Sequence, residues 1–143
     1  MQIFNSTRTS LTRTIPFQAS HRYWKPEWTE EENRARFGKL THAHPHDYTC
    51  AVTVSGQVHP ATSGVASLAE LDQILDEEVR QRLEGQAIHD LPEFAGGKQL
   101  PTCEAIAGDL FPRIAARMPA GVTLESVQVA ESDSLSATVQ RAP

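Results

Sequence analysis

The spacing of apolar and polar positions divides the chain into alternating stretches and helical stripes. Ile15, Phe17, Ala19 and His21 alternate with Pro16, Gln18, Ser20 and Arg22. That two-residue period predicts a strand with Phe17 and His21 on one face. Pro16, lacking an N–H, places it at a sheet edge or a strand start. The β-branched run Tyr48–Val54 predicts a second strand, leaving through the turn-forming Ser55-Gly56-Gln57. Gly64-Val65-Ala66 is a candidate third. Ser67-Leu68-Ala69-Glu70 has the form of a capping box, and Leu68, Leu71, Leu75, Val79 and Leu83 follow as one helical stripe that Gly85 ends. Thr102 is placed to cap a second helix, with Ile106, Leu110, Ile114 and Cys103 inward and a kink or early end at Pro112. Residues 122–130 and 135–140 alternate as two last strands, joined by Glu131-Ser132-Asp133-Ser134 as a hairpin loop.

The remainder reads as connection. Tyr23–Phe37 is a polar link in which Trp24 and Trp28 either cover a pocket or pack into the core, the commoner fate of aromatics. A loop spans 86–101. Residues 1–13 are rich in Ser and Thr, with Ile3 and Phe4 an early apolar pair, and read as an edge strand or a loose arm. Antiparallel hairpins with helices on one face give an α+β, two-layer domain.

Composition narrows the class. The 143 residues match one domain, 1–143, and are 39% hydrophobic and 22% charged. A net charge of −5 argues against a nucleic-acid partner. No apolar run approaches a membrane span, and no apolar core follows Arg8 and Arg13 as in a secretory signal. The two cysteines, Cys50 and Cys103, make no disulfide framework, which fits a cytoplasmic protein.

Chemistry concentrates in His42-Ala43-His44-Pro45-His46-Asp47-Tyr48, where three histidines stand at alternate positions before a predicted strand. If pairing starts early enough, two or three imidazoles share a face, a spacing that suits a metal. The other reading is a solvated, histidine-rich loop.

A further set of motifs runs in order along nearly the whole chain: Phe17-Gln18-Ala19-Ser20-His21, Glu32-Asn33, Phe37-Gly38-Lys39 and His44-Pro45-His46-Asp47-Tyr48. Ser63-Gly64-Val65, Asp90-Leu91-Pro92, Pro101-Thr102-Cys103-Glu104 and Val129-Ala130-Glu131 complete it. Together they resemble the 6-pyruvoyl-tetrahydropterin synthases and the bacterial 6-carboxy-tetrahydropterin synthases of queuosine and 7-deazapurine biosynthesis, which usually have His-Gly-His-Asn-Tyr where this chain has His44–Tyr48. The resemblance implies the tunnelling fold: a four-stranded antiparallel sheet with two helices on one face, closing between subunits into a barrel as a homo-trimer or homo-hexamer. It implies zinc held by His21, His44 and His46, which leaves out His42. It also implies a small-molecule pterin substrate, anchored by Glu131 with Thr102, Cys103 and Glu104. Spacing alone would leave Glu131 a solvated loop acid.

The departures concern acid–base chemistry. The family's cysteine after Phe-Gly-Lys is Leu40 here, and its Asp-His pair aligns with Glu84-Gly85. Cys50, within an expected strand, is no evident replacement. His42, His89 and Asp90 are the substitute catalytic candidates, each also readable as structural. The expectation is a zinc-dependent carbon–oxygen or carbon–carbon lyase acting on the side chain of dihydroneopterin triphosphate or a related pterin. The alternatives are a changed reaction, such as dihydroneopterin side-chain cleavage, and a metal- and pterin-binding protein with little catalysis.

Overall fold

The computed structural model describes residues 7–143, so Ile3 and Phe4 lie outside the described residues. The elements are β1 (Thr9–His21), α1 (Glu30–Phe37), β2 (His44–Gly56), α2 (Leu68–Leu75), α3 (Gln81–Leu83), α4 (Cys103–Ala115), β3 (Thr123–Ser132) and β4 (Leu135–Gln140). The four strands form one antiparallel sheet in the order β1-β2-β3-β4. Pro16 therefore lies on an edge strand, as its missing donor requires. A wide π turn, Asp76–Arg80, joins α2 to α3.

One face of the sheet carries the core. Phe17 and Ala19 of β1, Tyr48, Cys50, Val52 and Val54 of β2, and Leu124, Val127 and Val129 of β3 are all buried. They meet Leu71, Ile74, Leu75, Val79 and Leu83 from the α2–α3 segment and Ile106, Ala107, Leu110 and Ile114 from α4. Burial of apolar area of this kind is the main force holding helices to sheet.

Four expectations are corrected. Gly64-Val65-Ala66 forms no strand; residues 57–67 make a loop instead. Leu68 is 52% exposed at the first turn of α2, while Ile74 completes the buried stripe. Tyr23–Phe37 is not a mere connection, because its second half is α1. The apolar pattern could not show α1, whose one buried residue is Asn33. A capping box does the work: the Thr29 hydroxyl accepts from the Glu32 N–H and the Glu32 carboxylate reaches back to the Thr29 N–H. Asn33 bonds both the N–H and the carbonyl of Lys25, tying α1 to the preceding loop. Finally, of the kink or early end expected at Pro112, the early end does not occur: α4 runs through Pro112 to Ala115.

Trp24 and Trp28 are half-buried, and Trp28 stacks on Phe37 with ring centroids 5.7 Å apart. Cys50 is fully buried in the core. Among the described residues no helix is long and apolar enough to cross a membrane.

Candidate metal centre

The β1–β2 register builds the site. His21 pairs with His44, Ala19 with His46, and Phe17 with Tyr48. Pairing starts at His44, so His42 falls outside the strand and its side chain is exposed. Alternation turns His21, His44 and His46 to the core face at the sheet's end. Their ring centroids lie 4.6–4.9 Å apart. One ligand atom from each falls within 4.8 Å of the others. The stacked rings of Phe17 and Tyr48, centroids 4.9 Å apart, continue the same face inward.

Two main-chain carbonyls set the tautomers. A carbonyl can only accept, so Nδ1–H of His21 donates to Pro101 at 2.7 Å and Nδ1–H of His44 donates to His42 at 2.8 Å. Both rings are left with Nε2 as a free lone pair, the usual outer support of a histidine ligand. Burial, above all, holds the His21 imidazole below the ordinary histidine range, favouring the neutral form that binds metal. His42 thus serves the site through its backbone.

Nε2 of His21, Nε2 of His46 and the Tyr48 hydroxyl are buried without a hydrogen-bond partner. Buried polar atoms are normally paired. A cation among the rings would take up the two imidazole lone pairs. Three imidazole nitrogens are a donor set that suits zinc. His21, His44 and His46 are therefore positioned to hold a metal.

Glu131 stands beside them. Ala130 pairs with Ser136 and Ser132 with Leu135, so Glu131 is the extra residue of a β-bulge, the kind of irregularity that aims a side chain at a site. It belongs to β3, not to the hairpin loop expected for it. Its Oε2 lies 3.1 Å from Nε2 of His46. Its Oε1 accepts from the Cys103 thiol at 3.5 Å. Burial first, and then the Glu131 charge, push Cys103 and the Tyr23 hydroxyl each up to about 12. The same causes raise Tyr48. The carboxylate is therefore ringed by groups that keep their protons.

The other candidates separate. The Thr102 hydroxyl is committed to capping α4, where it accepts from the Ala105 N–H at 3.0 Å. Glu104 is exposed one residue beyond Cys103. His89 and Asp90 sit in a different cleft with Arg22, Trp24 and Pro101. Leu40 is 38% exposed in a short turn, where its carbonyl accepts from the Tyr23 N–H. Glu84 and Gly85 hold the edge of β1: the Gln18 N–H donates to Glu84 Oε2 at 2.6 Å, and the Gly85 N–H donates to the Gln18 carbonyl at 2.7 Å. The sequence reading missed Tyr48 as a site residue, although it continues the parity of His44 and His46.

Fold and site define an α+β protein whose sheet ends in a face of three histidines positioned to hold a metal, beside a partly buried glutamate. Residues 10–142 match the family described as 6-pyruvoyl tetrahydropterin synthase. The human 6-pyruvoyl tetrahydrobiopterin synthase is 35% identical over 127 residues, covering 87% of this chain and 86% of that one. The Drosophila melanogaster protein of the same name is 30% identical over 125 residues, covering 85% and 73%. The solved Caenorhabditis elegans 6-pyruvoyl tetrahydropterin synthase shares the fold, with a TM-score of 0.85 at 23% identity over 95% of this chain and 97% of that one. The chain belongs to the 6-pyruvoyl tetrahydropterin synthase family.

Proposed function

We propose that the protein is a zinc-dependent pterin enzyme of this family, acting on the side chain of dihydroneopterin triphosphate or a close relative. The observation that carries the reading is the meeting of three convergent imidazoles with the Glu131 carboxylate at the end of one sheet. His21, His44 and His46 would hold the metal. When bound, it would supply Lewis acidity toward hydroxyls or carbonyls of the pterin side chain. Glu131 would accept from two N–H groups of an aminopyrimidinone edge, a charge-assisted pairing. Cys103 and Tyr23, holding their protons, would flank that carboxylate as donors. Two edge strands, β1 and β4, need covering in solution, which supports closure of sheets into a homo-trimeric or hexameric barrel.

The acid–base step is where this chain departs. A leucine can move no proton, and Glu84 is engaged by a backbone amide. His42 is exposed beside the turn carrying Leu40 and is the nearest along the chain of the three candidates His42, His89 and Asp90. These facts favour a second reading: metal and pterin are bound, while the standard pyruvoyl- or carboxy-forming reaction is slow or changed. The deciding experiment is incubation of the zinc-loaded protein with dihydroneopterin triphosphate and with dihydroneopterin, followed by product mass spectrometry. A new pterin product supports an enzyme and names its reaction. Bound zinc and pterin without turnover support the second reading. Absence of pterin binding overturns both.

A further inference from the structure

We propose that the cleft between Arg22 and His89 is an oxyanion site that takes the phosphate groups of a phosphorylated small molecule. The cleft has a volume of about 110 Å³ and is walled by Trp24, Gly97 and Pro101. The half-buried Arg82, Arg113 and Arg117 each pair with carboxylates. Arg22 is also half-buried, yet among the described residues it has no ion pair or side-chain hydrogen bond. Its guanidinium lies 5.6 Å from the centre of the Trp24 ring. This cation–π contact steadies the guanidinium without occupying its N–H groups.

His89 adds a second unanswered group. Its side chain is 17% exposed and its Nδ1 is buried with no partner. A guanidinium without an acid offers N–H donors to an oxyanion, and the neighbouring neutral imidazole can add one more from a single nitrogen. The one acid in the cleft, Asp90, is 78% exposed and stands 3.9 Å from His89 Nε2. The wall is fixed by close packing: a Cβ on Gly97 would come within 2.6 Å of Pro26 Cδ, and its φ of +75° disfavours other residues.

Pro101 joins this cleft to the metal centre. It lines the cleft, while its carbonyl accepts from His21 on the other side. The assignment deepens the proposed function, on which its link to a pterin triphosphate rests. The oxyanion site itself stands on Arg22 and His89.

The test uses inorganic tripolyphosphate, dihydroneopterin and dihydroneopterin triphosphate, titrated calorimetrically onto the zinc-loaded protein. Tripolyphosphate should bind, and Arg22→Gln should weaken it by roughly tenfold or more. His89→Gln should weaken it less, and Asp90→Asn should tighten it. Arg22→Gln should weaken the triphosphate ester equally and leave dihydroneopterin unaffected. If Arg22→Gln fails to fold, Arg22→Lys and His89→Gln decide, and unchanged tripolyphosphate binding in both overturns the site. No tripolyphosphate binding to the wild type also overturns it. Tripolyphosphate binding without any pterin binding would keep the oxyanion site and reject the pterin reading. Weakening of tripolyphosphate but not of the ester would assign the site to a free polyphosphate product.

Discussion

Glu131 Oε2 stands 3.1 Å from His46 Nε2, yet the two make no aligned hydrogen bond. The carboxylate and the imidazole are neighbours with their best directions still free. Metal and pterin anchoring should therefore be separable. Glu131→Ala is expected to abolish pterin binding while leaving bound zinc at its wild-type level, read by fluorescence titration and metal analysis. Pterin binding that survives the change would remove Glu131 from the site.

Metal content should follow the register of β1 and β2. His44→Ala and His46→Ala should each lose stoichiometric zinc. His42→Ala should keep it, because His42 supports His44 through a carbonyl that every residue carries. Undiminished zinc in both strand variants would refute the centre.

The Glu84-Gly85 clamp is a stability device. Glu84→Ala should cost about 1–2 kcal/mol by removing the acceptor for the Gln18 N–H. Gly85 has a φ of +73° with open space where a Cβ would go, so Gly85→Ala should cost about 1–2 kcal/mol of backbone strain alone. Gly85→Asn should cost less. Denaturant melts that rank alanine and asparagine equally would show that the left-handed backbone is not the cause.

The pH dependence of stability should carry a His89 component. Burial, with Arg22 in the same sense and Asp90 opposing, holds its imidazole below the ordinary histidine range. The unfolded chain takes up this proton near pH 6.5, while the folded protein resists it to lower pH. The contribution is therefore full above about pH 6.5 and is lost as the pH falls toward the folded value. Melting temperatures of the metal-free protein should drop on acidification, and His89→Gln should make that drop shallower. An identical slope in the variant would exclude His89.

Neither thiol should react in the native state. Burial pushes both Cys50 and Cys103 up to about 12, and the nearby carboxylate adds to the effect at Cys103. The thiolate is the reactive form. Alkylation at mildly alkaline pH should be negligible until denaturant is added; rapid labelling of Cys103 would contradict its contact with Glu131.

Much of this was written in residue parity. The alternation through Phe17, Ala19 and His21, and the common face of His44, His46 and Tyr48, are periods that the sequence displays directly. What a period cannot carry stayed hidden. Helix α1 has a buried asparagine in place of an apolar stripe, and only Thr29 and Glu32 announced it. The exposure of Leu68 follows from its place at the first turn, where the stripe has not yet met the sheet. The carbonyls of His42 and Pro101 act without any side-chain signature. Arg22 and His89 are far apart in sequence, and only the fold brings them to one cleft.

The turn carrying Leu40 bears on how this protein can change. The Leu40 carbonyl accepts from the Tyr23 N–H, a bond indifferent to what the Leu40 side chain is. Reactivity at that point is thus uncoupled from the scaffold. A lineage can gain or shed a proton-transferring group there without reopening the question of how the chain folds.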